Sequence, residues 1–196
     1  MIHLLDQLAH RLAQYRPREL TLDYPEAGIL VPVTDNSVEP EIIFTQRAAH
    51  LKTHRGQVAF PGGKRDREDA TLLDTALRES WEEIGLMRED VKVLGMLSQV
   101  VSRYGIIVTP FVGLVPEGLA FTPNLDELDS VFSVPISFFL EDRRLRTDTL
   151  SFLDYTLYVP CYEWQGYHIW GMSAIVLVDL LNAAFDAGID MLEPPG

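Results

Sequence analysis

"RESWEEIG", residues 78–85, is the stretch that decides how this chain is read. It sets Glu79, Glu82 and Glu83 close together. On a helix, like charges three or four positions apart repel by roughly 0.2–0.5 kcal/mol per pair. At about 100° per residue, Leu73, Leu77, Ser80 and Ile84 share one face, with Trp81 at its border. The three glutamates and Thr75 lie about a third of a turn away. The helix thus packs on a core while carrying carboxylates along its flank. "DATLLDTALRESWEEIGL" (69–86) predicts this helix, with Asp69 as its cap and Gly85 as its stop.

Two readings of the stripe are open. One is a solvated acidic flank, partly neutralised by Arg78 four positions before Glu82. The other is a divalent cation site. Mg²⁺ is hard, takes oxygen ligands, and binds through a few carboxylates together with waters and substrate phosphates. Carboxylates at i, i+3 and i+4 converge on one side of a helix, and a cation relieves their repulsion. Pro61-Gly62-Gly63 immediately precedes the helical region. Glycine permits close backbone approach, and turns of this kind often meet phosphate at a helix start.

The 196 residues carry a formal charge of −13. That argues against a nucleic-acid backbone or an anionic membrane surface as the main partner. A phosphate-bearing substrate would need a metal or a local positive patch. Cys161 is the sole cysteine, so no intrachain disulfide forms, and a reducing, cytoplasmic setting is expected. The opening "MIHLLDQLAHRLAQYR" shows helical spacing over about 2–15. Asp6, His10 and Arg11 interrupt any signal-peptide pattern. The longest apolar runs, such as "AIVLV" (174–178), are too short to span a bilayer.

Strands are expected at "GILVPV" (28–33) and "EIIFTQR" (41–47), and at "GQVAFPGG" (56–63), stopped there by Pro-Gly-Gly. "VKVLGMLSQVV" and "GIIVTPFVGLV" read as strands, and "SVPISFFLEDRR" as a strand end with a short helix. "LSFLDYTLYVP" reads as one strand, "YHIWG" as another, and "MSAIVLVDLLNAAFDAG" as a closing amphipathic helix. Residues 116–130 form a loop. Strands mixed with a few helices make a single α/β domain over 1–196.

With these residues in place, the chain resembles the Nudix hydrolases. Gly63, Arg78-Glu79, Glu82-Glu83, Gly85 and Leu86 match their box, G-x5-E-x7-R-E-U-x-E-E-x-G-U, over residues 63–86. The spacing from Gly63 to Arg78 is one residue longer than in the box. The early glutamate position falls on Ala70, beside Asp69, and Ser80 replaces an aliphatic residue. "FTQRAAHLKTHRGQVAFPGG" (44–63) looks like the segment before the box in the coenzyme A diphosphatase branch. Thr45, Arg47, Leu51, His54, Gly56, Gln57, Val58, Phe60 and Pro61 match it, and Lys52 stands where Arg is common. "WGMSA" (170–174) fits the same branch.

The resemblance implies an α/β/α sandwich with a mixed sheet. It also implies metal-dependent hydrolysis of coenzyme A or its derivatives to 4′-phosphopantetheine and adenosine 3′,5′-bisphosphate. Mg²⁺ or Mn²⁺ would be held by Glu79, Glu82 and Glu83, with Arg78 orienting the glutamates. Glu82 and Glu127, the latter in the acidic loop outside the box, are both open as the base. Arg47, His54, Arg55, Gly62, Gly63 and Lys64 are the expected substrate contacts. Arg47 could instead pair with an acid on the box helix, and His54 could be a structural histidine. Val58 and Phe60 read as core, and Trp170 and Met172 as packing. The partner is a small molecule, with a homodimer left open. The rivals are a Nudix hydrolase of NADH, ADP-ribose or a nucleoside triphosphate, and a non-catalytic nucleotide-sensing module. The intact glutamates argue against the sensor.

Overall fold

The computed structural model describes residues 3–152 and 155–194. Helix α1, Leu4–Gln14, buries Leu5, Leu8 and Leu12, as the three-and-four spacing requires. Strand β1, Glu26–Thr34, is buried along nearly its whole length, because both faces of its sheet are covered. Ala27, Ile29, Val31 and Val33 face one apolar layer, and Leu30 faces the other. Strand β2, Glu41–Arg47, pairs antiparallel with β1 at Val33↔Ile42.

The next segment departs from expectation. Pro61-Gly62-Gly63 does not end the sheet. The chain leaves β3 (Val58–Ala59), paired with β2, and continues as β4 (Gly62–Lys64), paired antiparallel with β1. Gly62 has φ 150, and a Cβ there would sit 2.5 Å from Gly28 O and Ile29 Cα. Only glycine lets β4 lie this close to β1, so the residues read as a stop are what permits the crossing.

Helix α2, Leu72–Ile84, follows, with a 3-10 turn at Arg88–Asp90. Strands β5 (Lys92–Met96) and β6 (Val100–Val101) pair with β7 (Ile107–Val115), which runs parallel to β1 from Glu26↔Ile107 to Thr34↔Val115. Strand β8, Leu128–Pro135, pairs with β2 and leads into the short α3, Ile136–Leu140. These eight strands form one mixed sheet. The expected single strand at 150–160 is instead a hairpin, β9 (Arg144–Phe152) and β10 (Tyr155–Trp164), extended by β11 (Tyr167–Ile169) into a second, three-stranded sheet.

Helix α4, Gly171–Phe185, closes the described fold. It is not amphipathic as expected. Val176, Leu177, Val178, Leu180 and Leu181 are all buried, because α4 is enclosed by α1, α3 and β10. Helix α2 covers one face of the large sheet through Ala76, Leu77 and Ile84, with Leu86 just beyond its end. Helices α1 and α4 and residues of the second sheet cover the other, giving the anticipated α/β/α layering. Full burial of a Leu or Ile contributes about 1.5–3 kcal/mol, so each layer is anchored by several such residues. No helix of the described residues is long and apolar enough to cross a membrane.

Candidate active site

Thr71, not Asp69, caps α2. Its hydroxyl accepts from the Asp74 N–H (3.1 Å), and the Asp74 carboxylate accepts in return from the Thr71 N–H (3.0 Å). Such a box stabilises a helix start by roughly 1 kcal/mol. At the other end Gly85 adopts the left-handed conformation, and Leu86 N–H returns to Ser80 O (3.3 Å). The helix is therefore fixed at both ends before its flank takes part in any chemistry.

Asp69 has a different task. Its two carboxylate oxygens accept Nε and Nη2 of Arg78, and Oδ2 also accepts the hydroxyl of Thr75 (2.9 Å). The Arg78 guanidinium beside Asp69 holds that carboxyl well below the usual range, assisted by the Asp66 N–H and Thr75. Arg78 is the hub of the flank. Nη2 reaches Lys64 O (3.2 Å), and Nη1 reaches Glu79 Oε1 (3.1 Å) and Glu82 Oε2 (3.2 Å). Sequence reasoning passed over Asp69 as a site residue. Its position beside the box's early acidic position was the available signal.

Glu83 is 5% exposed, and its Oε2 accepts the Gly62 N–H at 3.1 Å. Burial pushes its carboxyl up to about 8, with further repulsion from Glu79 and Glu127, against the opposing pull of Gly62 N–H and Arg47. Burial likewise raises Glu79, opposed by Arg78 and reinforced by Glu82 and Glu127. Glu127 therefore lies within electrostatic reach of both. Its loop is pinned to α2, with Asn124 N–H on Glu83 O (2.8 Å) and Thr122 N–H on Ile84 O (2.9 Å). The structure thus gathers Arg78, Glu79, Glu82, Glu83, Gly62, Gly63, Arg47 and Glu127 around one helix flank.

Gly63 faces Glu79, and a Cβ there would lie 2.6 Å from its carboxylate. Arg47 has a buried Nε without a hydrogen-bond partner among the described residues. An unpaired buried donor costs about 1–3 kcal/mol, so it is a place where an anionic group would be favoured.

The other expected contacts stand apart. Lys64 contributes its carbonyl to Arg78, while the residue itself is exposed. His54, at φ 53, bonds Gln57 Oε1 through Nδ1 (2.8 Å) and meets Tyr104 edge-to-face. Arg55 is exposed and lines a cleft that none of the glutamates enters. Val58 and Phe60 are buried in the core. Trp170 and Met172, expected to pack, are each 38% exposed.

The donor set suits a hard divalent ion, being all carboxylate oxygen in a partly desolvated place. As they stand, no three acidic, His or Cys side chains of the described residues are arranged to hold one. Glu82 is turned onto Arg78, which is the counter-ion of Glu79 and Glu82 in this arrangement.

Among solved structures, a MutT/nudix family protein from Enterococcus faecalis is 21% identical. The match has a TM-score of 0.48 and covers 76% of this chain and 55% of that one. An Ap4A hydrolase from C. elegans is 15% identical with a TM-score of 0.49, over 59% of this chain and 83% of that one. Neither likeness bears on substrate. The Nudix hydrolase NudL of Yersinia enterocolitica is 37% identical over 174 residues, 85% of each chain. That of Salmonella dublin is 37% identical over 178 residues, 90% of this chain and 92% of its own. The NUDIX domain model matches residues 25–144, from β1 to the start of β9. A match spanning the carboxylate-bearing helix and the sheet around it, with relatives this similar over most of their length, establishes that the chain belongs to the Nudix hydrolase family.

Proposed function

We propose that this Nudix hydrolase cleaves the diphosphate bond of coenzyme A or its derivatives, giving 4′-phosphopantetheine and adenosine 3′,5′-bisphosphate. The observation that carries the reading is the unpaired, buried Nε of Arg47. It belongs to the Thr45–Pro61 segment that resembles the coenzyme A branch, and its charge acts on Glu83. An unpaired guanidinium N–H whose charge reaches Glu83 supports a phosphate contact there.

Nudix hydrolases generally use divalent metal ions. Glu79, Glu82 and Glu83 would hold Mg²⁺ or Mn²⁺ here, and the ion when bound neutralises diphosphate charge and acidifies a water. Arg78, itself fixed by Asp69, orients Glu79 and Glu82. Gly62 N–H orients Glu83. Arg47 binds and orients a phosphate. Glu127 or Glu82 accepts the attacking water's proton at a carboxylate oxygen. The loop 122–127, tied to the last turn of α2, keeps Glu127 near the cluster.

The test is a substrate panel in Mg²⁺, with products separated by mass. Coenzyme A should give the two named products with kcat/KM above that for NADH and ADP-ribose, and excess chelator should abolish turnover. Faster cleavage of ADP-ribose or NADH would overturn the coenzyme A reading and leave the family untouched.

A further inference from the structure

The loop between β2 and β3 meets the second sheet at a cleft of about 430 Å³, within the size of small-molecule sites. Gln46 and Gln57 line it from the loop side, with Arg55. Arg146 of β9, His168 of β11 and Trp170 line it from the other. No carboxylate lines it, in a chain of net charge −13. Gln46 and Arg47 are neighbours in β2, where a bulge against β8 falls between them. Gln46 lines this cleft, while the charge of Arg47 acts on Glu83. The two places are joined through the main chain, since Arg47 N–H donates to Gln57 O and Gly56 N–H to Arg47 O, both at 2.9 Å.

The chemistry of the lining is specific. Arg55 makes no ion pair among the described residues, although it is exposed beside a second arginine. Arg146 donates Nε and Nη2 to Asp148 at 2.7 and 3.3 Å. That pair fixes the guanidinium plane and leaves Nη1 without a hydrogen bond in the described structure. Guanidinium groups bind phosphate through several N–H donors at once. His168 adds ring nitrogens, and Gln57 adds its amide N–H groups, its Oε1 being held by His54 (2.8 Å). Trp170 offers an exposed indole, a surface on which planar bases stack for about 1–3 kcal/mol.

We propose that this cleft binds the phosphomonoester of a nucleotide, with the phosphate between Arg55 and Arg146 and the base on Trp170. Two sources carry that chemistry: the 3′-phosphate end of the substrate itself, or a separate free nucleotide. The first rests on the coenzyme A reading above; the second does not.

Calorimetry with adenosine 3′,5′-bisphosphate in chelator tests the cleft without turnover. Binding by the wild type should fall about ten- to a hundredfold in Arg55→Ala and in Arg146→Gln, the ratio expected for losing a charged hydrogen bond. Adenosine, which lacks phosphate, should bind weakly and alike in all three. Indole quenching on binding should vanish in Trp170→Leu. Thermal melts check that each variant is folded, and His168→Ala, at an exposed position, is the substitute if Arg146→Gln is not. No binding by the wild type, or equal binding by the folded variants, overturns the proposal.

The source is read from kcat/KM for coenzyme A against dephospho-coenzyme A. A preference that Arg55→Ala brings down to about one assigns the cleft to the substrate's own phosphate. An unchanged preference with weakened calorimetric binding assigns it to a separate nucleotide. If the wild type cleaves neither compound, the coenzyme A reading fails, while the calorimetry still decides the cleft.

Discussion

Arg78 donates Nε and Nη2 to the two carboxylate oxygens of Asp69, each at 3.0 Å. This two-point grip fixes the guanidinium plane, so that Nη1 lies against Glu79 and Glu82. A single hydrogen bond would let the arginine swing; a fork does not. The carboxylate flank is therefore positioned by a residue that precedes the helix.

Asp69→Ala should cost about 2–3 kcal/mol of stability, since it removes a buried partner of Arg78 and of Thr75. Because Arg78 then loses its plane, kcat should fall at least about tenfold with KM little changed. Urea unfolding and steady-state kinetics measure the two effects. Full activity in the folded variant would show that the glutamates need no orienting arginine.

Glu83 predicts a pH dependence. Its carboxyl is raised from 4.5 to about 8 in the folded chain. Between those values the native state holds a proton that the unfolded state releases. Metal-free stability should therefore decline as pH rises through that window, by at most about 5 kcal/mol. Glu83→Gln, nearly isosteric, should flatten this decline and be the more stable form near pH 8, yet lose most turnover. Urea unfolding in chelator from pH 5 to 8.5 reads the first, and a rate assay in Mg²⁺ the second. A wild-type stability that does not decline would sink the first expectation.

Two glycines separate packing from chemistry. A Cβ at Gly28 would lie 2.2 Å from the backbone oxygen of Leu72, whereas one at Gly63 meets only the end of the Glu79 side chain. Gly28→Ala should cost about 3 kcal/mol or more, because β1 and α2 must separate. Gly63→Ala should unfold near the wild-type midpoint but lose roughly a hundredfold in kcat, because Glu79 is displaced by about 1 Å. Circular dichroism melts and kinetics on both proteins check the contrast.

What the sequence disclosed follows from how local each signal is. The α2 flank, its Gly85 stop and the buried strands β1 and β2 are written in periodicity and turn residues. The hairpin of β9 and β10 reads as one strand because "LSFLDYTLYVP" holds no Gly or Asn to mark a turn. Helix α4 looked amphipathic because its few polar positions are spaced like an outer face. Its burial depends on α1 and the second sheet, which no local pattern reports. Asp69 looked like a cap because it precedes the helix; its bond to Arg78, nine residues on, exists only once the loop folds back.

The last prediction concerns Glu127. Its main chain is fixed at both ends, N–H to Asn124 O (3.0 Å) and O to Ala48 N–H (2.8 Å), so its place does not rest on its own side chain. Its charge adds to the upward shifts of Glu79 and Glu83, while its side chain is exposed. Glu127→Gln keeps shape and removes the charge. If Glu127 takes the water's proton, kcat should fall about a hundredfold or more, with KM within about twofold. Glu83 should meanwhile ionise more readily, having lost a repelling neighbour, so metal-free stability at pH 8 should rise. A merely exposed acidic loop would move neither quantity. A stability gain with an unchanged rate would keep Glu127 beside the cluster and pass the role of base to Glu82.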